Sequence, residues 1–170
     1  MAKLSLREFQ EELARKLSDT TGGTSTRALL GLQSGGELWL IDLAESGEIL
    51  PVPTLTPVPL ATGWLRGVAN VRGVLYAVSD LAAFQGGNPT VLTGDARLLL
   101  PHAKFGCNSA LLVSRVLGLR AREDFEPAEN AEPDPRPWVA GQFTDTQGRL
   151  WRRFDPRRLY TDERFLDVAA

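Results

Sequence analysis

The sequence predicts a mainly β protein in which two similar small barrels share a core. The 170 residues include 16 glycines and 11 prolines among many Leu and Val, a composition that favours many short strands over a helical bundle. Two octapeptides, residues 73–80 (GVLYAVSD) and 148–155 (GRLWRRFD), match at Gly, Leu, an aromatic residue and Asp. Upstream of them, Gly67 and Gly141 also correspond within one residue. Both octapeptides read as a turn, a strand and an Asp-capped helix start, which indicates two related halves.

Composition and charge exclude several classes of protein. Hydrophobic residues make up 43% of the chain, enough for a sizeable core. The formal net charge is -2, so neither nucleic acid nor an anionic membrane is an expected partner. The single cysteine, Cys107, excludes an internal disulfide and suits a reducing compartment. No apolar run approaches the roughly 20 residues that cross a bilayer, and no signal peptide is evident. We therefore expect a soluble cytoplasmic protein without direct membrane insertion.

The first 18 residues predict a short amphipathic helix. Ser5 and Glu8 form a capping box, and apolar residues then keep roughly one helical face as far as Leu17. The polar face carries both signs of charge, which argues against binding to anionic lipid. Residues 19–26 contain no apolar side chain and predict a flexible linker. We expect one folded domain over residues 27–170.

Short strands are predicted from residue 27 onward. Residues 27–33 and 38–43 flank the sequence SGGE, which is typical of a hairpin turn. Ser46-Gly47 predicts another turn, and the alternating prolines at 51–59 predict an edge or extended segment, because proline lacks an amide donor. Later strands are predicted at residues 68–71, 74–78, 96–100, 110–116, 139–143 and 150–154.

Two further segments complete the predicted domain. Residues 126–137 are polar and rich in proline, and they predict a long, mobile loop. Asp155 followed by Pro156 predicts the start of a terminal helix that continues through Tyr160 and Phe165.

The residues that commonly carry catalysis or bind metals are few. His102, the one histidine, follows a strand end and is expected to be a solvated turn residue. Cys107 lacks the local sequence of a papain-like nucleophile. One His and one Cys cannot supply the four ligands of a structural zinc site, and the sequence contains neither a phosphate loop nor a dinucleotide fingerprint. We expect no enzymatic activity, no metal and no cofactor.

Tryptophan and arginine provide two further candidates for binding. Trp64 follows the proline run in a short, polar-flanked segment, so it is a candidate for lining a partner groove. The alternative is a place in the core, as for most large aromatic residues. The sequence RLWRR at 149–153, with Arg157 and Arg158, is a local basic cluster. Because the overall charge balance is slightly acidic, the cluster predicts a solvated face rather than a nucleic-acid site.

The most specific motif is GVANVRG at residues 67–73, followed by an apolar strand that ends in Asp80-Leu81. This pattern resembles the signature of the CheW-like family of chemotaxis adaptors. Residues 109–119 (SALLVSRVLGL) resemble a second family block, and the likeness covers most of the chain. Ser114 stands where many members have Asp, and Ala77 stands where many have Pro. These departures make the chain most similar to the twitching-motility branch, the PilI-like proteins.

The resemblance implies a fold and a set of partners. The fold is two five-stranded SH3-like β-barrels around a shared hydrophobic core, with a short N-terminal helix and a C-terminal helix. The function is that of a non-enzymatic adaptor. It couples the cytoplasmic tip of a methyl-accepting chemoreceptor to the regulatory domain of a CheA-type histidine kinase, in receptor arrays that control type IV pilus twitching motility. A stand-alone SH3-like peptide-binding module and a small hydrolase are the alternatives.

The resemblance also implies a partner-binding surface. Family members place a Glu ahead of the signature at a spacing that corresponds to Glu48, and its implied ion-pair partner is Arg72 near the receptor-facing surface. Arg72-Gly73 is a tight turn that presents the guanidinium outward. Asn70 is expected to satisfy backbone groups near the turn, and Gly67 and Gly73 to meet backbone requirements. The alternative is a solvated Glu and an ordinary turn Arg.

Overall fold

A computed structural model describes residues 28–169 and four residues of the N-terminal segment. Those four, Leu6, Arg7, Gln10 and Glu11, are helical and exposed. The rest of the predicted N-terminal helix and linker lies outside the described residues. Among the residues described, no helix is both long and apolar enough to span a membrane.

The described chain is mainly β, as predicted. Its strands are β1 (Leu29–Ser34), β2 (Glu37–Asp42), β3 (Ser46–Pro51), β4 (Leu65–Val71), β5 (Val74–Asp80), β6 (Arg97–Pro101), β7 (Ser109–Val113), β8 (Arg115–Arg120), β9 (Glu126–Pro127), β10 (Val139–Thr144) and β11 (Leu150–Phe154). The helices of the domain are α1 (Leu81–Phe84), α2 (Pro156–Tyr160) and α3 (Glu163–Leu166), with 3-10 turns at Leu43–Glu45, Ala103–Phe105 and Arg122–Asp124.

One sheet is contiguous in the sequence, and the other is assembled from both ends of the domain. The contiguous sheet has the strand order β3-β6-β7-β5-β4, and we call it the central barrel. The other has the order β8-β1-β2-β11-β10-β9, and we call it the terminal barrel. Each barrel has five main strands, and the two-residue β9 adds a sixth to the terminal barrel.

The two matching octapeptides occupy equivalent places in the two barrels. β4 and β5 form an antiparallel hairpin whose second strand pairs in parallel with β7. β10 and β11 form another, whose second strand pairs in parallel with β2. Asp80 and Asp155 cap the short helices that follow, and a bulge precedes Gly67 in β4 and Gly141 in β10. The predicted duplication is therefore visible in the fold.

Three hydrophobic clusters lie within residues 28–169, and the largest is shared by both barrels. It takes side chains from β1, β2, β6 and β7 and from all three helices of the domain. Alternate residues of the same strands face their own barrel instead: Leu99 of β6 lies in the shared core, and Leu98 lies inside the central barrel. Likewise Trp39 of β2 faces the shared core, whereas Leu40 faces the terminal barrel. Strands buried on both faces need unbroken apolar runs, which is the pattern of these segments.

Residues 110–116, predicted as a single strand, contain parts of two strands in different sheets. β7 ends at Val113 in the central barrel, and β8 begins at Arg115 in the terminal barrel. Ser114 fixes the crossing, because its N–H and its hydroxyl both donate to the carbonyl of Gln33, at 3.0 and 2.7 Å. The apolar pattern continues through the crossing, so periodicity shows no break there.

Two other segments differ from the prediction. Ser46-Gly47 opens β3 instead of forming a turn. A β-carbon on Gly47 would overlap the carbonyl of Leu100, so the glycine permits a close approach of β6. The terminal helix is broken after Tyr160, because the Asp162 side chain accepts the Phe165 N–H at 3.2 Å and starts a separate helix, α3.

Candidate partner-binding site

The turn between β4 and β5 has the conformation that matches the twist of a hairpin. Arg72 and Gly73 have φ values of 51° and 85°, and positive φ at both central residues is typical of a type I′ turn. The side-chain oxygen of Asn70 accepts the Gly73 N–H at 2.9 Å. Asn70 thus has the expected backbone role, and the conformation of the turn favours glycine at position 73.

Arg72 forms an ion pair with Glu48. Its guanidinium donates through Nη1 to Oε1 at 3.2 Å and through Nη2 to Oε2, so the pairing is bidentate. The side chains are 70% and 40% exposed. The hydrogen bond and the charge of Glu48 raise the pKa of Arg72, but water and salt screen a pair as exposed as this one. The pair therefore fixes the direction of two surface charges and adds little to stability.

The ion pair joins the two edges of the central barrel. Glu48 lies on β3 and Arg72 follows β4, and these are the edge strands of that sheet. Behind the pair, Thr56 and Val68 exchange backbone hydrogen bonds of 2.9 and 2.8 Å, which cover the edge of β4. Gly67 has a φ of 141°, and a β-carbon there would lie 2.5 Å from the Thr56 carbonyl oxygen. Gly67 is therefore needed for the chain to close over this edge.

Two exposed aliphatic side chains follow the turn directly. Val74 and Leu75, the first residues of β5, are 42% and 60% exposed. Aliphatic area beside charges of fixed direction is the composition of many protein-binding surfaces. We call the set of Glu48, Arg72, Val74 and Leu75 the hairpin surface.

Trp64 lies in an aromatic cluster. Its ring stacks on Phe165 with centroids 5.8 Å apart and meets Phe84 edge-on at 5.0 Å. Its carbonyl accepts the Asp80 N–H at 2.8 Å. The ring is half-buried against the shared core, and these contacts favour the core alternative over a groove residue.

A buried carboxylate, which the sequence marks only as a helix cap, anchors the hairpin. Asp80 is 0% exposed and accepts from the Arg66 guanidinium at 2.9 Å and from the N–H and hydroxyl of Thr90 at 2.7 Å each. Arg66 also donates to the Thr90 carbonyl at 2.9 Å. Since Arg66 belongs to β4, the network ties this strand to the loop after α1. A buried charge requires such partners.

His102 and Cys107 are placed as ordinary structural residues. His102 Nδ1 accepts the Lys104 N–H at 3.0 Å, which caps the 3-10 turn Ala103–Phe105. Cys107 is half-buried beside the shared core. In the described part of the chain, no group of three His, Cys, Asp or Glu side chains is placed to hold a metal ion.

Part of the C-terminal arginine cluster belongs to an ion-pair network between the barrels. Asp134 accepts from Arg136 at 2.6 Å and from Arg152 at 2.9 Å, and Glu37 accepts from Arg136 at 2.7 Å. Gln85, just after α1, accepts from Arg136 at 2.5 Å. Hydrogen bonding to Arg136 holds the pKa of Asp134 well below its usual range. We call these five residues the inter-barrel clamp, and they fix the proline-rich loop that the sequence predicts to be mobile.

Other arginines of the cluster pair with further carboxylates of the domain. The distances are 2.8 Å for Arg149–Asp145, 3.7 Å for Arg153–Asp42 and 3.4 Å for Arg158–Asp155. The cluster is therefore largely neutralised by the chain's own carboxylates, which favours the predicted solvated face over a nucleic-acid site.

Comparison with known proteins identifies the class to which this fold belongs. Residues 28–164 match the CheW-like domain. The chain belongs to the CheW-like family, whose members are non-enzymatic scaffold adaptors. The predicted family is therefore confirmed.

Two relatives narrow the comparison. The chain is 32% identical over 147 residues to Protein PilI of Pseudomonas aeruginosa, a match that covers 83% of this chain and 79% of that protein. Its fold is similar to the crystal structure of the scaffolding protein TtCheW from Thermoanaerobacter tengcongensis, with a TM-score of 0.66 and 18% identity over 81% of this chain and 94% of that one. The structural likeness confirms the pair of SH3-like barrels.

Proposed function

We propose that this chain is a chemosensory adaptor that couples the cytoplasmic tip of a methyl-accepting chemoreceptor to the regulatory domain of a CheA-type histidine kinase. It acts in the cytoplasm at membrane-bound receptor arrays, and its output is type IV pilus twitching motility, a choice supported by the identity to Protein PilI. The observation that carries the proposal is the outward-facing Glu48–Arg72 pair beside Val74 and Leu75 on a CheW-like fold.

The properties of the hairpin surface suit a partner contact. Its ion pair is too exposed to contribute much to folding. Covering Val74 and Leu75 removes apolar area from water, which stabilises a complex, and the paired charges set the orientation of the partner. An amphipathic helix presents neighbouring apolar and charged side chains, so this is the kind of receptor element that we propose binds here.

The kinase contact is proposed from the fold. The kinase regulatory domain that the family resemblance implies is itself CheW-like, so adaptor and kinase can pair through like surfaces. The shared core and the inter-barrel clamp hold the two barrels in one arrangement. A receptor contact on the central barrel is then held at a fixed position relative to a kinase contact elsewhere on the molecule.

Charge reversal at the turn tests the proposed receptor contact. We expect Arg72→Glu to fold normally and to reduce receptor-dependent kinase stimulation by about tenfold or more, because it sets like charges against each other at a contact. The matched control is Arg115→Glu, which reverses the exposed Arg115–Asp95 pair, a 3.1 Å contact elsewhere on the surface. The measurement is kinase autophosphorylation in a reconstituted mixture of receptor, kinase and adaptor, with circular dichroism as the folding control.

A double-mutant cycle shows whether the pair acts as a unit. We expect Glu48→Arg alone to impair coupling, and the double swap with Arg72→Glu to restore part of it. Wild-type coupling by Arg72→Glu, or an equal loss in Arg115→Glu, contradicts the proposed role of the hairpin surface.

A further inference from the structure

The two barrels contain equivalent packing positions, and the charges are balanced at one position and unbalanced at the other. The β1–β2 turn packs on α1, where a β-carbon on Gly35 would lie 3.5 Å from that of Ala82. The β6–β7 connection packs on α2 in the same way, with the rings of Phe105 and Tyr160 5.6 Å apart. Each barrel thus sets a strand connection against the helix that follows the other barrel's hairpin.

At the first position, the chain neutralises its own charges. Arg136 lies 5.1 Å from the ring of Trp39. Glu37 of the β1–β2 turn pairs with Arg136 and Arg152 at 2.7 and 3.1 Å, and Asp134 pairs with the same two arginines at 2.6 and 2.9 Å. Two carboxylates therefore cover two cations beside one aromatic ring.

At the second position, two cations beside one ring have no carboxylate. Lys104 Nζ lies 5.3 Å from the centroid of the Phe105 ring, and the Arg157 guanidinium lies 5.7 Å from it. Both cations are exposed, and the ring is half-buried. Among residues 28–169, neither cation forms an ion pair with Asp or Glu. Contact with the ring leaves the outer N–H donors of both cations available for a ligand.

We propose that Lys104, Phe105 and Arg157 form a docking site for an extended acidic segment of a partner protein. The inter-barrel clamp shows the matching chemistry, since two carboxylates pair there with two arginines. Side chains at alternate positions of an extended segment project to one face. Two acidic residues at i and i+2, about 7 Å apart, would face the two cations, which lie 5.3 and 5.7 Å from the same ring centroid. Their methylene stems would cover the ring of Phe105. The site shares no residue with the hairpin surface, so it serves a further contact.

An acidic partner fits better than a lipid or nucleic-acid surface. The formal net charge of the chain is -2, and several neighbouring arginines are already paired with carboxylates. Binding to a polyphosphate or to an anionic bilayer draws on a broad basic face. A site with two cations and one ring matches a short acidic segment instead.

Binding of a defined acidic peptide tests the proposal. The probe is a fluorescein-labelled decapeptide of alternating Glu and Ser, and its control carries Gln at each Glu position. By fluorescence anisotropy at about 50 mM salt, we expect the full chain to bind the Glu peptide and to lose affinity as salt rises. Arg157→Glu and Lys104→Glu are each expected to weaken binding of the Glu peptide by about tenfold or more. The wild type is expected to bind the Gln peptide at least about tenfold more weakly than the Glu peptide. If one of the two variants fails to fold, the other still tests the proposal.

A matched variant separates this site from general attraction to a charged protein. Arg164 also lies over an aromatic ring, 5.1 Å from the centroid of Phe84, and within residues 28–169 it has no ion pair. However, Phe84 is buried and cannot contact a ligand. We expect Arg164→Glu and Arg72→Glu to bind the peptide as the wild type does. Absence of binding by the wild type, or equal weakening in Arg164→Glu, overturns the proposal without bearing on the hairpin surface.

Two further measurements distinguish the occupant. Binding to phosphatidylglycerol vesicles that is lost in Arg157→Glu would assign the site to a membrane. Sedimentation of the wild type as a dimer or larger species that Arg157→Glu abolishes would assign it to a second copy of this chain. Either result overturns the proposal of an acidic partner segment, whereas a monomer that ignores vesicles and binds the Glu peptide supports it.

Discussion

The β4–β5 and β10–β11 hairpins occupy equivalent places in the two barrels, but their turns make different contacts. In the β10–β11 hairpin, Asp145 accepts the backbone N–H groups of Gln147 and Arg149 at 2.9 Å each and the indole N–H of Trp151 at 2.9 Å. All of these bonds stay within the hairpin. The Trp151 side chain is then directed inward and is only 1% exposed.

In the β4–β5 hairpin, the corresponding contacts are fewer and reach further. Asn70 accepts one backbone N–H, and Arg72 extends to Glu48 on another strand. Leu75, which corresponds to the half-buried Leu150 of the other hairpin, is 60% exposed. The equivalent hairpin therefore stabilises the terminal barrel in one copy and leaves side chains available for contact in the other. Substitutions at equivalent positions can test this division.

The largest difference is expected between the two helix-cap aspartates. Asp80 is fully buried against Arg66 and Thr90, whereas the side chain of Asp155 is 28% exposed beside Arg158. We expect Asp80→Ala to lower the free energy of unfolding by about 3 kcal/mol, since it leaves Arg66 without its buried partner. Asp155→Ala is expected to cost about 1 kcal/mol, the usual value of a cap. Urea unfolding followed by circular dichroism measures both, and equal losses would contradict the different burial of the two caps.

A smaller difference is expected between the two bulge glycines. Gly67 has a φ of 141° and the Thr56 carbonyl oxygen at 2.5 Å from an added β-carbon, whereas Gly141 would meet only the ring of Phe143 at 3.2 Å. Gly67→Ala is expected to cost roughly 2–3 kcal/mol, because backbone must move. Gly141→Ala is expected to cost less than about 1 kcal/mol, since a ring can shift. Thermal unfolding compares the stability of the two variants. A larger loss of stability in Gly141→Ala would show that the close approach of Thr56 to β4 does not require glycine at position 67.

The smallest difference in stability is expected between substitutions of Asp145 and Asn70, the residues whose side chains accept backbone N–H groups in the two turns. Asp145→Ala removes several hydrogen bonds, including one from the buried indole of Trp151, so we expect a loss of about 2 kcal/mol. Asn70→Ala removes one hydrogen bond at an exposed site and is expected to cost about 0.5–1 kcal/mol. Denaturant unfolding of both variants against the wild type provides the comparison. A greater cost at Asn70 would reverse the proposed division between the hairpins.

Acid is expected to reduce the difference in the free energy of unfolding between the wild type and Asp145→Ala. Burial raises the pKa of Asp145, but hydrogen bonds from Trp151 and Arg149 outweigh it and hold this pKa well below its usual range. Because the folded-state pKa lies below the unfolded value of about 3.9, the carboxylate contributes fully above about pH 5 and progressively less as pH falls below about 4. Unfolding measured in a pH series should show a constant gap near neutrality that closes in acid. Asn70→Ala serves as the control, and its gap should not titrate.

Local signals in the sequence were sufficient to predict the hairpins, the aspartate caps and the role of Asn70, since each of these features depends on residues only a few positions apart. The Glu48–Arg72 pair came from the family resemblance, because nothing local connects the two positions. The Arg66–Asp80–Thr90 network and the inter-barrel clamp depend on tertiary contacts between distant segments. Periodicity could not show the crossing at Ser114, because the strands on both sides are apolar.

The crossing at Ser114 also sets the order in which the barrels are completed during synthesis. All strands of the central barrel precede it, so they leave the ribosome together. The β1–β2 hairpin is made first of all, yet its parallel neighbour is β11, with Leu38 opposite Trp151. The terminal barrel therefore cannot be completed until β11, the last strand of the domain, has been synthesised. Until then the β1–β2 hairpin lacks this neighbour. A chain truncated before residue 150 would contain all strands of the central barrel but would lack β11. The unpaired edge of β2 in the incomplete terminal barrel would then be exposed and prone to aggregation.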